Sequence, residues 1–329
     1  MQERQNTEEK ESLMAPLKTL EADYPIFDSN FQQFCASHGI FSVEDFLVRD
    51  IYMLVALAEE HDNSDRLKQA ITEILSIMDS QHQSWLNGFE LLEDSQKSKN
   101  ILPTGCERID AFLQGGLREG FLTELVGPSS SGKTQVCLLA ASNVAKRRLG
   151  KVMFLDTGNS FSPKRIAYFI SNTPEHADNE ANRSLPHILD NILCHSVFDI
   201  FTLLDVLQQL LNNLTYQIGQ RLRMLIVDSI SSLITPVLGG AGTHGHALMA
   251  FAGVLLKKLA HEYNLSVLIT NHMVAGEGGV TKPALGESWK SIPHIRLLLS
   301  RDCISNISGM SILRHPCMAI GERVDFTIL

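Results

Sequence analysis

No stretch of this chain stays apolar for the roughly 18 residues that a bilayer-spanning helix needs, so neither a helical membrane span nor a membrane partner is expected. The six cysteines contain no C-x-x-C pair and no zinc-ligand spacing, which argues against a disulfide framework or a structural zinc and for a reducing compartment. Cys194-His195 is the one tempting metal pair, but it sits in the apolar run Ile192–Val197 and reads as a buried strand. Positive charge is short. Lys and Arg number 28 against 37 Asp and Glu, a formal net charge of −9, so the chain lacks the electrostatic footprint of an autonomous nucleic-acid binder. Any DNA contact must come from local loops or from partners. Met1–Ser12 is polar and acidic, with neither a signal-peptide core nor the basic character of a mitochondrial presequence. Residues 1–14 are expected to be a disordered extension, and Met14 offers an alternative start. Internal repeats are absent.

What is present is ordinary for a globular protein: 44% hydrophobic residues over 329 positions, enough for a large domain and a small one. Residues 15–82 read as a small helical domain. Phe31, Phe34, Cys35 and His38 recur at helical spacing and stop at Gly39, a C-cap signal, and a second helical pattern runs from Leu67 to Met78. Residues 83–100 are polar and read as a linker. From 101 to 329, β and α patterns alternate. Leu122–Val126, Lys151–Asp156, Asn191–Ser196, Arg223–Asp228 and Ser266–Thr270 are strand-like, several of them continuously apolar as parallel strands buried on both faces are. Helical patterns fall between them at Gln135–Arg148, Ser162–Ser171, Phe198–Ile218 and Ala247–Tyr263, which predicts an α/β sheet covered on both sides. Three later segments (His294–Ser300, Gly309–Leu313 and Arg323–Ile328) suggest antiparallel strands.

The chemistry is concentrated at Gly127-Pro128-Ser129-Ser130-Ser131-Gly132-Lys133-Thr134. The G-x-x-x-x-G-K-T spacing lets backbone N–H groups of a tight turn converge on nucleotide phosphates. Lys133 neutralises their charge, and the Thr134 hydroxyl ligates Mg²⁺. A β-prone run precedes this loop and a helix-forming run follows it, the context the motif requires. Met224-Leu-Ile-Val-Asp228 is an apolar strand ending in an acid, which would hold Mg²⁺ at the carboxyl edge of the sheet. Together these predict binding of ATP with Mg²⁺.

Thr104-Gly-Cys-Glu-Arg-Ile-Asp-Ala-Phe-Leu-Gln-Gly-Gly-Leu-Arg-Glu-Gly120, running into the phosphate loop, resembles the opening of the RecA-like core of eukaryotic and archaeal strand-exchange recombinases. Phe154-Leu-Asp-Thr157, Leu225-Ile-Val-Asp-Ser229, Leu268-Ile-Thr-Asn-His272 and His315-Pro-Cys317 follow in the family's order. Phe198–Leu210, Pro236–Gly240 and Lys282–Trp289 look most like the D-type paralogue branch. The resemblance implies a RecA-like ATPase core behind a small helical domain. It also implies a nuclear role in homologous-recombination repair beside other recombinase paralogues.

Departures from the family pattern refine that expectation. Where the recombinases carry the Glu that polarises the attacking water, this chain has Gly158, and loss of a general base costs about 10²–10⁴-fold. Asp156, two positions earlier, is the alternative acid for that role. His272 stands where the family has a Gln sensor; the alternative is a solvent-facing loop histidine. The two segments that would line a DNA channel, Leu233–Gly245 and Val274–Lys290, supply only Lys282 and Lys290, offset by Glu277 and Glu287, so contact with single-stranded or branched DNA is expected to be weak alone. Trp289 is open to either base stacking or packing. In the linker, Phe89 and Leu92 occupy the positions of the family's Phe-x-x-Ala protomer plug, and Leu92 overfills a pocket shaped for a methyl group. The expected function is therefore a mediator that docks other paralogues, with separate partners for the two domains. Its rival is an autonomous DNA-dependent ATPase that forms its own strand-exchange filament. A RecA-like ATPase acting in signalling or phosphotransfer is a third reading, disfavoured by the family-wide blocks.

Overall fold

The computed structural model describes residues 24–41, 45–46, 49–61, 63–81, 87–89, 101–172, 181–214, 221–239, 244–276, 281–302 and 304–328. They belong to two compact units, Met1–Asp94 and Ser95–Leu329.

The first unit is helical: α1 (Ser29–Ser37), α2 (Ile51–Glu59) and α3 (Ser64–Gln81). Asp28 caps α1, its carboxylate accepting from the amides of Asn30 and Phe31, each at 3.1 Å. The helix stops as its sequence predicts. Gly39 turns left-handed at φ +69°, and the amides of Gly39 and Ile40 fold back onto the carbonyls of Ala36 and Cys35. Phe31, Phe34 and Phe46 are buried together with Ile40, Leu67 and Ile71, so these phenylalanines form the unit's core. Phe41 and Met53 lie exposed.

The second unit opens with a two-stranded ribbon of β1 (Ile101–Leu102) and β2 (Leu117–Arg118), with α4 (Glu107–Phe112) between them in sequence. Its main sheet comprises β3 (Leu122–Gly127), β4 (Lys151–Asp156), β5 (Ile192–Ser196), β6 (Leu222–Asp228), β7 (Ser266–Ala275), β8 (Thr281–Pro283), β9 (Ile295–Arg301), β10 (Ser308–Arg314) and β11 (Arg323–Phe326). Among the described residues the strand order is β11-β10-β9-β3-β7-β6-β4-β5, with β8 paired to β7. All pairs from β9 to β5 are parallel, and β9–β10 and β10–β11 are antiparallel. A RecA-like α/β core therefore forms, with β10 antiparallel to both neighbours as expected, but the segment His294–Ser300, expected to be antiparallel, becomes β9 and runs parallel to β3.

The continuous apolar runs are explained by two cores, one on each face of the sheet. Along β6, Met224 and Ile226 enter one core while Leu225 and Val227 enter the other. Helices α5 (Lys133–Lys146), α6 (Pro163–Asn172) and α7 (Ala181–Leu189) cover the first face; α8 (Ile200–Leu214), α9 (Ile230–Leu238) and α10 (His244–Tyr263) cover the second. The sequence patterns missed α7 and α9, each of which carries an internal proline, Pro186 and Pro236. Burial of Ile230, Leu233 and Ile234 outweighs the helix-breaking tendency in α9. One strand is corrected in character. β5 is an edge strand with Leu193–Ser196 exposed, because the strand order ends there, and Cys194-His195 is not a buried pair.

Below the parallel strands, His294 just precedes β9 and its Nδ1 accepts from the Leu122 amide at 2.9 Å. Burial first, then the charges of Lys257, Arg314 and His261, hold this imidazole below its usual pKa. His272 and His315 are likewise lowered, mainly by burial. A histidine with a depressed folded pKa leaves the unfolded chain to take up the proton first. Its contribution is complete above the unfolded value of about 6.5 and is lost as pH falls through that value toward the folded one. Urea-unfolding midpoints measured from pH 8 to pH 5 should therefore decline below about pH 6.5. His294→Asn keeps an acceptor for Leu122 and removes the titration, so it should flatten the decline. An unchanged slope would remove His294 from the account.

Candidate nucleotide-binding site

β3 delivers the chain to Gly127 at the carboxyl end of the parallel sheet, and α5 begins six residues later at Lys133. Two glycines make the turn possible. A Cβ on Gly127 would lie 2.5 Å from Ser131 Oγ and 2.6 Å from the Leu299 carbonyl, and Gly132 takes φ +97° as the N-cap of α5. The first-turn amides of α5 thus face the cleft at the positive end of the helix dipole. Lys133 is buried and its Nζ donates to the carbonyls of Gly127 at 2.7 Å and Pro128 at 2.9 Å. Burial lowers its pKa, and Asp228 opposes that shift.

Asp228 ends β6 directly across from the loop. Its Oδ2 accepts from Thr134 Oγ1 at 2.7 Å and from Ser160 Oγ at 3.2 Å, and its Oδ1 accepts from Thr270 Oγ1 at 2.5 Å. Thr134 and Asp228, separated by 94 positions in sequence, are thus brought into one oxygen pair. Around them is a cleft of about 450 Å³ lined by Ser129–Gln135, Thr157, Gly158, Ser160, Asp228, Ser229, Ser232, His272 and Arg301. This size lies within the usual range of about 300–1,000 Å³ for small-molecule pockets.

Gly158 lies on the cleft wall with nothing within 4 Å of where its Cβ would stand. Asp156 does not replace the missing acid. It is 4% exposed, its Oδ1 accepts from the amides of Gly158 and Ser160 and from Ser160 Oγ, and its Oδ2 accepts from the Phe161 amide at 3.0 Å. That carboxylate organises the 158–161 loop. His272 belongs to β7 rather than to a free loop; its Nε2 stands 3.0 Å from Ser229 Oγ and its amide donates to Ser231 Oγ. Partial burial first, and then the charge of Lys133, disfavour its protonation, while Asp228 favours it.

The sequence reading did not single out Thr157, Ser160, Ser232 or Arg301. Arg301 ends β9, which runs beside β3, and it adds a second cation to the cleft lining. Its position depends on a parallel pairing of segments far apart in sequence, which no local pattern reveals.

The described parts of the segments expected to line a DNA channel are largely helix and strand rather than loop, while residues 240–243 and 277–280, Glu277 among them, lie outside the described residues. Residues 233–238 lie in α9; Met273–Ala275 pair with Thr281–Pro283; and Gly286–Lys290 form a short helix, α11. Trp289 is fully buried and donates Nε1 to Glu124 Oε1 at 2.8 Å, so it packs and does not present a face to a base. The same Glu124 accepts from Asn271 Nδ2 and from Arg296 Nε, tying the phosphate-loop strand to β7, β9 and α11 through one buried network. Lys282 is exposed, and Lys290 is exposed and paired with Glu287 at 3.3 Å. In the linker, Phe89 is 67% exposed, while Leu92 lies outside the described residues. Among those residues no group of His, Cys, Asp and Glu has the makings of a metal cluster.

Comparison with known proteins gives a consistent result. The profile of the Rad51 family matches residues 96–301. The chain is 33% identical to DNA repair protein RAD51 homolog 4 of Bos taurus over 91% of this chain and 90% of that protein. It is 36% identical to the protein of the same name from Mus musculus over 65% of each chain. It is 30% identical to meiotic recombination protein DMC1 homolog A of Oryza sativa subsp. indica over 72% of this chain and 67% of that protein.

Proposed function

This chain belongs to the Rad51 family, and from that premise we propose that it is an ATP-binding recombinase paralogue acting in homologous-recombination DNA repair. It works in the nucleus as a mediator: it docks other paralogues and assists recombinase assembly on single-stranded DNA. The observation that carries this reading is a phosphate loop and the Thr134–Asp228 oxygen pair assembled beside a cleft wall that lacks a general base at Gly158. Binding is provided for; the family's general base for hydrolysis is not.

ATP and Mg²⁺ both fit the residues present. Ser129–Thr134 supply the amide cradle and Lys133 the cation, with Gly127 and Pro128 carrying the chain into it. Thr134 and Asp228 form the hard-oxygen pair that Mg²⁺ prefers. When bound, Mg²⁺ neutralises phosphate charge at that pair. Thr270 and Ser160 hold the Asp228 carboxylate in place, and Ser229 with His272 forms a polar contact in the same cleft lining.

Docking is supported by two exposed features, one in each unit. Phe89 protrudes from the linker as a plug would, with Leu92 three positions on as the residue that selects a dedicated partner. On the ATPase core, β5 ends the sheet among the described residues and lies beside exposed Leu193, Phe198 and Phe201, a strand edge open to pairing. A chain with two unlike faces makes heterologous contacts, which continue into a filament unless different partners end them. Lys282 and Lys290 give weak contact to single-stranded or branched DNA.

Separate partners for the two units are tested by co-purification with fragments 1–94 and 95–329. Each fragment is expected to retain a different paralogue. Recovery of the same single partner by both, or long filaments of the intact chain alone with ATP, would favour the autonomous enzyme instead.

A further inference from the structure

The segments expected to meet DNA are poor in cations, yet cations gather at the opposite end of the ATPase sheet. The cleft lies at the carboxyl ends of the parallel strands. At their amino ends, Lys151 opens β4, and its amide donates to the carbonyl of Arg221, the residue just before β6, at 3.0 Å. Arg148 lies in the turn between α5 and β4 that packs against the Arg221–Arg223 segment: a Cβ on Gly150 would stand 2.7 Å from the Arg221 carbonyl. Arg221 Nη2 donates to the carbonyl of Tyr263, the last residue of α10, at 2.8 Å. The last two turns of α10 carry Lys257 and His261. Both lie close enough to His294, at the foot of β9, for their charges to act on it, and so does Arg314 at the end of antiparallel β10.

These groups form one belt along the base of the sheet. From Arg314 on β10 to Lys151 on β4 the strand order counts five steps, which at about 4.8 Å each is roughly 24 Å. Arg148, Arg221, Arg314 and His261 are exposed, and Lys151 and Lys257 are half-buried. Among the described residues none of the five Lys and Arg side chains is paired with a carboxylate, whereas neighbouring Arg223 and Lys258 are paired with Glu119 and Glu262. Two of these cations lie on strands and the others on the turns and helix that meet the same end of the sheet. Arg221 and Arg314 are further held by the carbonyls of Tyr263 and Lys290, so a chain with a net charge of −9 carries a local positive strip there. This strip matches a ligand of regularly spaced negative charge.

We propose that this basal edge is a binding face for the phosphate backbone of duplex DNA, remote from the nucleotide cleft. About 24 Å of duplex axis spans roughly seven base pairs and presents phosphates at fixed spacing. A single strand is the poorer match, because such binding relies on aromatic platforms for the bases, and the exposed aromatic side chains Phe198, Phe201 and Tyr168 stand elsewhere on the unit. The choice of DNA as the polyanion rests on the recombination role proposed above. A mediator with such a face holds the duplex flank next to the single strand on which the recombinase assembles.

The test uses the intact chain and fluorescence anisotropy of a labelled duplex of about 30 base pairs, titrated between 50 and 200 mM salt, with a single strand of equal length as competitor. Each phosphate contact removed should reduce the slope of log affinity against log salt by about 0.9, so Arg148→Gln/Lys151→Gln/Arg221→Gln should lose about 2.7. A second variant, Lys257→Gln/Arg314→Gln, should lose about 1.8 and guards against misfolding of the first. Both should bind a labelled ATP analogue as the parent does, which reports an intact core. Variants with parental slopes, duplex binding fully displaced by an equal amount of single strand, or no duplex binding by the parent chain at low salt would each overturn the basal site. Paralogue docking would survive all three outcomes, so failure here is distinguishable from failure of the mediator reading.

Discussion

Lys133→Ala should abolish ATP binding. The side chain is 6% exposed and fixed at the mouth of the loop by two carbonyls, with its charge aimed at the site where triphosphate charge accumulates. Alanine removes the only cation of the loop and leaves the amide cradle to hold the phosphates unaided. A loss of a hundredfold or more is expected, about 2.8 kcal/mol in binding free energy. Lys133→Arg should also bind poorly, because a planar fork is bulkier than an ammonium in a position this enclosed. The fold should survive both changes, since α5 is anchored by Val136, Cys137, Leu138 and Ala141 in the core. Equilibrium titration of a labelled ATP analogue decides the matter, with circular dichroism as the control. An affinity for Lys133→Ala within about threefold of the parent, under about 0.7 kcal/mol, would refute the assignment.

The isolated chain should hydrolyse ATP slowly and gain little from single-stranded DNA, and Gly158→Glu should raise its turnover. Asp156 is occupied by the backbone of its own loop, so the carboxylate nearest in sequence is unavailable as a base. Position 158 faces the cleft, has no atom within 4 Å of its would-be Cβ, and does not take a left-handed backbone, so a glutamate enters without strain. A general base contributes about 10²–10⁴-fold when well placed, and an engineered one should recover at least about tenfold. Steady-state phosphate release by the parent and the variant, with and without single-stranded DNA, measures both parts. Turnover by the parent equal to that of an active recombinase under the same conditions would show that another group activates water. The variant's ATP affinity must be measured alongside, because a new negative charge near phosphates weakens binding and would mask a gain in rate.

The phosphate loop and the strand ending in Asp228 were legible because their chemistry is written in adjacent residues. Gly127, Gly132, Lys133 and Thr134 must be close in sequence for one turn to cradle a phosphate, and an apolar strand ending in an acid is a local pattern. The parallel strands were legible for a related reason: burial on both faces makes runs such as Met224–Val227 continuously apolar. Helices α7 and α9 were not, because Pro186 and Pro236 locally favour a break and only the cores they pack against reverse that preference. An apolar run also does not say whether its strand is central or at an edge, so Cys194-His195 read as buried and proved exposed.

The sequence by itself determined the fold class, the phosphate cradle and the absence of the family's glutamate, since each is carried by residue identities at short spacing. Only the tertiary structure decided what surrounds them. It occupied Asp156 with backbone amides, buried Trp289 against Glu124, placed Arg301 beside the loop and closed the Thr134–Asp228 pair across 94 positions. It also gathered Arg148, Lys151, Arg221, Lys257 and Arg314 along one edge of a chain whose overall charge is negative. The physical reason is common to all five cases. A side chain's role depends on its exposure and on which groups meet it, and those are fixed by strand order and packing between segments that are distant along the chain.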